Sequence, residues 1–226
     1  MSSSESVRRA AGMAVALAAV LPVTVVILNL VQLGHYNPAA DAISVLALGR
    51  GGLALNVAFI AGGAATFLAA WVLRHSVTKA VAGPLLLGFF GCTSVMSGMV
   101  DTTPVNAPAT AASQAHELAG VLGFLAAITA AFVFARRFGK DSAWRDFARP
   151  TLFWAIAAAV TFICVPLTPA SLFGVAQCAY IATGVSWMIA TMIRARSLAA
   201  GPALGSPEPG HPGLGQEAIL NTVSDA

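Results

Sequence analysis

The chain predicts an all-α integral membrane protein: six transmembrane helices in a small-residue-rich bundle, with a short interfacial helix between spans 1 and 2. Three observations predict it. Hydrophobic residues make up 58% of the 226 residues and charged residues only 9%, with a mean hydropathy of +0.80. A soluble domain carries about 25% charge and needs it to cover its surface. The apolar residues also fall in uncharged runs matched to a ~30 Å hydrocarbon core. The third observation is that the basic residues gather on one side of those runs.

The first run extends from Ala10 to Gly34 without a charge. Its MSSSESVRR flank resembles a signal peptide, but the run exceeds the ~7–15 residues of a signal core. It reads as a retained helix, bent near Pro22. The second run lies between Arg50 and Arg74, the third between Lys79 and Asp101, and the fourth between Glu117 and Arg136. Pro150 to Ile193 is again uncharged. As one helix it would be about 66 Å long, twice the core thickness. It must be two spans, and VPLTPAS marks the break with Pro166 and Pro169.

The spans are then about 11–33, 53–73, 80–100, 117–136, 150–166 and 171–193, within a membrane domain of residues 10–196. Residues 1–9 form an N-terminal flank, and the Pro- and Gly-rich stretch 197–226, which holds His211, reads as a disordered tail. An even number of crossings puts both ends on one side. Arg8, Arg9, Arg74, Lys79, Arg136, Arg137, Lys140, Arg145, Arg149, Arg194 and Arg196 share that side, leaving only Arg50 opposite. The positive-inside rule makes it the cytoplasm. The expected location is a cytoplasmic (inner) membrane, crossed several times.

This dispersal of charge excludes nucleic acid as a partner, despite a pI near 9.1. Cys92, Cys164 and Cys178 lack CxxC spacing and read as small buried residues. Lipid is as apolar as leucine, so close backbone approach must hold the helices together. Ala54, Ala58, Gly62 and Ala65 or Thr66 form a small-residue stripe in span two. Gly88, Gly91, Ser94 and Gly98 do so in span three, and Gly120, Gly123 and Ala127 in span four. The stripes serve packing within the chain first, a homodimer or another membrane protein second.

The candidate site is a polar cluster at the external end. It comprises His35, Asp41, Ser44, Arg50, Asn56, Asp101 and His116, in which Arg50 meets the acidic residues in a local charge network. Asp41 is positioned to cap the short interfacial helix, with Gly49 ending it. His116 and Glu117 open span four, and the face shared with Gly120 and Gly123 directs His116 inward. Each residue also has a structural reading: a cap for Asp41, an interhelical bond for Asn56, an interface anchor for His35 and Tyr36.

The block HYNPAADAISVLALGRGG, the Asp in GMVDTTP and the HELAG that opens span four resemble the bacterial membrane family known as domain of unknown function 998. The likeness covers about residues 10 to 195 and implies six spans and a shared set of Asp41, Ser44, Gly49, Asn56, Asp101 and His116. A more distant likeness runs to small membrane families that include lipid hydrolases with a Ser, Asp and three-His set. Ser44, Asp101 and His116 fill part of that set, but spans five and six carry no histidine.

Three functions follow as expectations. The favoured one is a non-catalytic envelope accessory or amphiphile-binding protein, its partner a membrane lipid or amphiphile. The second is an intramembrane hydrolase acting on a lipid-linked substrate, with His116, Asp101 and Ser44 as catalytic candidates. A divalent metal in that case would draw on His35, Asp41, Asp101 and His116, with water as nucleophile. The third is a small-molecule transporter, disfavoured because every charge lies near a span end.

Overall fold

The computed structural model describes residues 3–104 and 107–201. Six helices are long and apolar enough to cross a membrane. They are α1 (Ser3–Val31), α2 (Leu53–Ser76), α3 (Ala82–Met99), α4 (Ala111–Phe138), α5 (Ala148–Cys164) and α6 (Phe173–Ala200), with a short 3-10 helix (Ile43–Leu48) between α1 and α2. Each packs on its successor and α6 returns to α1, so the six close into a ring. Large apolar side chains such as Phe153, Leu85 and Leu30 stand exposed on its outer surface, where lipid solvates them.

Several helix ends differ from expectation, for local reasons. The first helix starts at Ser3, inside the presumed flank, where Glu5 and Arg9 pair one turn apart. It runs unbroken through Pro22 to Val31. The fourth starts at Ala111, because Thr110 and Ser113 form a capping box with bonds of 3.1 and 3.0 Å. His116 therefore sits about 8 Å inside the helix instead of at its mouth. The last helix reaches Ala200, and the rest of the presumed tail, with His211, lies outside the described residues.

The small residues divide their labour differently from the stripes read off the sequence. At α2–α3 one close approach belongs to Gly63, where a Cβ would lie 2.8 Å from the Gly91 carbonyl. A Cβ on Gly98 would meet the Asn56 carbonyl at 2.6 Å, and one on Gly123 would meet Thr93 Oγ1 at 2.1 Å. These glycines are contacts. By contrast a Cβ on Gly88 or Gly120 meets nothing within 4 Å. Ser94 adds an interhelical bond, donating to the Phe59 carbonyl at 2.8 Å, worth about 0.6 kcal/mol. The three cysteines are unpaired, and Cys92 and Cys164 are exposed instead of buried.

The basic end, where the α2–α3 and α4–α5 connections lie, is a packed core. Phe134, Phe138 and Trp144 are fully buried, and Trp144 stacks on Phe138 at 4.5 Å between centroids. Beneath them Asp141 ties the two connections together. Its carboxylate accepts from the Thr78 amide (2.9 Å), the Thr78 hydroxyl (2.6 Å) and the Ala143 amide (3.1 Å). Burial alone would raise the Asp141 carboxyl. The Thr78 and Ala143 bonds and the nearby Arg137 outweigh it and hold the group below its ordinary 3.8. Trp144 Nε1 donates to the Ser76 carbonyl at 3.1 Å. Among the described residues the ion pairs, Glu5–Arg9 and Asp146–Arg194, both lie at this end. The charge network expected around Arg50 is not found: Arg50 stands exposed and forms no ion pair among the described residues, whereas Asp146 of the α4–α5 connection pairs with Arg194 of α6 at the opposite end.

Candidate functional site

The other end of the ring is built around a void. Residues of all six helices line a cavity of about 670 Å³. On α4 its wall extends from His116 to Ala131, roughly 22 Å at 1.5 Å per residue. The wall changes character along that length. Ser44, Ser97, Thr102, Thr103, His116 and Gln177 lie toward the loops, whereas Leu87, Ala131, Trp154, Trp187 and Met188 lie toward the packed core. Volumes of about 300–1,000 Å³ suit one small ligand.

The α1–α2 connection closes this end and is itself held by two glutamines. Gln32, buried at the end of α1, donates to the carbonyls of Leu46 (2.9 Å) and Arg50 (3.1 Å). Gly49 answers to it, since a Cβ there would lie 2.1 Å from Gln32 Oε1. Gln177 of α6 accepts from the Ile43 amide at 2.8 Å, satisfying a donor that starts the 3-10 helix. Ile43 and Leu46 pack on Leu28, Leu55 and Tyr36.

Asp41 does not cap this helix. The cap position is Ala42, which offers no side chain to bond, and the Asp41 carboxylate turns back to accept from the Asn37 amide at 2.8 Å. Tyr36 donates its hydroxyl to the Asp41 carbonyl at 3.1 Å. Burial, with Cys178 and Asp41 nearby, pushes the Tyr36 phenol up to about 12, so it stays a donor.

His116 is bound through Nδ1 to the Val100 carbonyl at 3.0 Å. A carbonyl can only accept, so Nδ1 carries the proton, and in the neutral ring Nε2 is left as acceptor. Phe59 meets the imidazole edge-on at 6.2 Å. Of the residues named from the sequence, Ser44 and His116 line the cavity. His35, Arg50 and Asp101 are exposed, and Asp41 and Asn56 are half-buried outside the lining. Among the described residues no group of three or more His, Cys, Asp or Glu side chains is gathered to hold a metal ion. The four metal candidates are not brought together, because the Asn37 turn holds Asp41 and the Val100 carbonyl holds His116.

Sequence reading passed over Gln32 and Gln177 as wall-builders. Their signal was present, since a glutamine inside an apolar run needs a partner, but the partners are backbone groups that no motif announces.

A family model described as protein of unknown function, DUF998, matches residues 16–194. The chain belongs to the DUF998 family. It is accordingly a bacterial multi-pass membrane protein. Neither a curated protein nor a solved structure matches it. The matched span of this DUF998 member takes in the cavity lining from Ala18 to Met188.

Proposed function

We propose that this DUF998 member is a non-catalytic protein that holds a membrane amphiphile in the ring. The ligand's polar group meets Ser44, Ser97, His116 and Gln177, and its apolar part extends toward Trp154 and Trp187. The observation that carries this reading is the polarity gradient along one continuous wall, which matches the two ends of an amphiphile. The basic end and both termini face the cytoplasm on the charge asymmetry, so the ligand's polar group sits at the outer leaflet. A reporter after Pro108 should then prove external and one at the C-terminus internal.

Two cavity glycines make the decisive experiment. A Cβ on Gly120 or Gly184 enters open space, so Gly120→Leu with Gly184→Leu fills the cavity without a first clash. Native mass spectrometry of the full chain should show a co-purifying amphiphile in the parent and none in the double variant, with thermal stability kept. Equal occupancy in both, or an empty parent, would sink the reading.

The hydrolytic alternative draws on Ser44 and His116 both lining the cavity. Ser44→Ala separates the two: on the binding reading it removes one polar contact and lowers occupancy by the same intact amphiphile, whereas a hydrolase variant would accumulate uncleaved substrate.

A further inference from the structure

We infer that the basic end carries a second site, for the phosphate-bearing headgroup of an anionic lipid in the adjoining leaflet. A pocket of about 360 Å³ opens between the α2–α3 connection and the last turns of α4. Lys79, Arg136, Arg137 and Lys140 line it, and among the described residues no carboxylate does. Four cations held around one pocket repel one another and attract an anion.

Asp141 attracts Arg137 but, among the described residues, forms no ion pair with any of the four cations. Asp141 is spent on the Thr78 and Ala143 donors. Arg137 is held in place by donating Nε to the Thr78 carbonyl at 2.5 Å, which fixes one wall. Lys79, Arg136 and Lys140 form no ion pair among the described residues. Lys79 also holds φ at +53°, a left-handed conformation unusual for a non-glycine residue. The α3 helix begins in the same pocket with no side-chain cap on its first amides, adding a donor edge that favours negative charge.

The remaining lining selects a lipid over a soluble anion. Val81 and Val133 flank the cations, and Phe134 forms a wall. Val81 is 54% exposed and Leu85, one turn into α3, is 69% exposed, so the pocket meets the lipid-facing surface. Basic pockets between transmembrane helices are recognised places for anionic headgroups. The site is independent of the cavity at the loop end.

The test uses the full chain in nanodiscs of zwitterionic lipid doped with phosphatidylglycerol, with retained lipid read by native mass spectrometry. The parent should retain phosphatidylglycerol preferentially, and Arg136→Gln with Lys140→Gln should weaken retention by roughly tenfold or more. Arg145→Gln with Arg149→Gln removes equal charge at the same end outside the pocket and should change it less than about twofold. Lys79→Asn tolerates the left-handed backbone while removing charge, so it tests the site should the double variant not fold. Arg136→Lys with Lys140→Arg should keep binding. Equal weakening by the pocket pair and the outside pair would overturn the inference, as would no preference in the parent. Inorganic phosphate and soluble glycerol phosphate form the last arm. Displacement of the lipid by either at matching concentration would assign the pocket to a free anion, against the lipid proposed.

Discussion

The two ends of the ring use the same kinds of helix for opposite purposes. At the basic end bulky aromatic residues fill the interior: Phe134, Phe138 and Trp144 leave no exposed surface, and Asp141 bonds the connections beneath them. Toward the loop end the same helices turn small or hydroxylated residues inward, Gly120, Ala127, Ser94 and Thr93 among them, and about 670 Å³ stays open. Dispersion rewards the first arrangement and is forgone in the second. The difference teaches that stability and occupancy are separated along the membrane normal, so substitutions at the two ends should have different signatures.

The largest expected effect tests the packed end. Trp144→Ala removes a fully buried indole that stacks on Phe138 at 4.5 Å and bonds the Ser76 carbonyl at 3.1 Å. A loss of about 3–5 kcal/mol in unfolding free energy is expected. Unfolding in detergent would measure it, and a loss below about 1 kcal/mol would contradict the packed-core account. Amphiphile binding in the surviving folded fraction should be unchanged, because the residue lies outside the cavity lining.

Asp141→Ala comes next. It strands the Thr78 and Ala143 amides and should cost about 1–3 kcal/mol. The pH dependence has a definite sign. The folded-state carboxyl lies below its ordinary 3.8, so its contribution is present above that value and disappears as pH falls through the lowered folded value. The stability gap between parent and variant should therefore be level near neutrality and narrow in strong acid. A gap that widens on acidification would reverse the assignment.

This contrast also marks where sequence reading ends. The six spans are legible because hydrocarbon thickness and charge placement act on whole segments, and local packing cannot shift them far. His116 reads correctly as an inward residue from its spacing with Gly120 and Gly123. The role of each glycine is not legible, however. Gly120 and Gly123 sit one turn apart in one stripe, yet one faces the void and the other touches Thr93. Which of them is a contact depends on a neighbouring helix's rotation, and composition carries no record of it. Asp141 escaped notice for a related reason: lying in a run of cations, it looks like a solvated loop charge until Thr78, distant in sequence, folds onto it.

That pair of glycines supplies the finest discrimination. Gly123→Ala drives a methyl to within 2.1 Å of Thr93 Oγ1 and should cost about 1–3 kcal/mol by overpacking. Gly120→Ala adds the same methyl where nothing lies within 4 Å. There the helix gains propensity with no clash, and stability should rise by a few tenths up to about 1 kcal/mol. The sign is the measurement. If both variants lose stability equally, the space beside Gly120 is filled by protein or by a tightly held ligand. Repeating the Gly120→Ala comparison on chain stripped of lipid then decides between these. A gain that appears only after stripping would place the amphiphile against α4, and a loss that persists would mean that the ring is closed there.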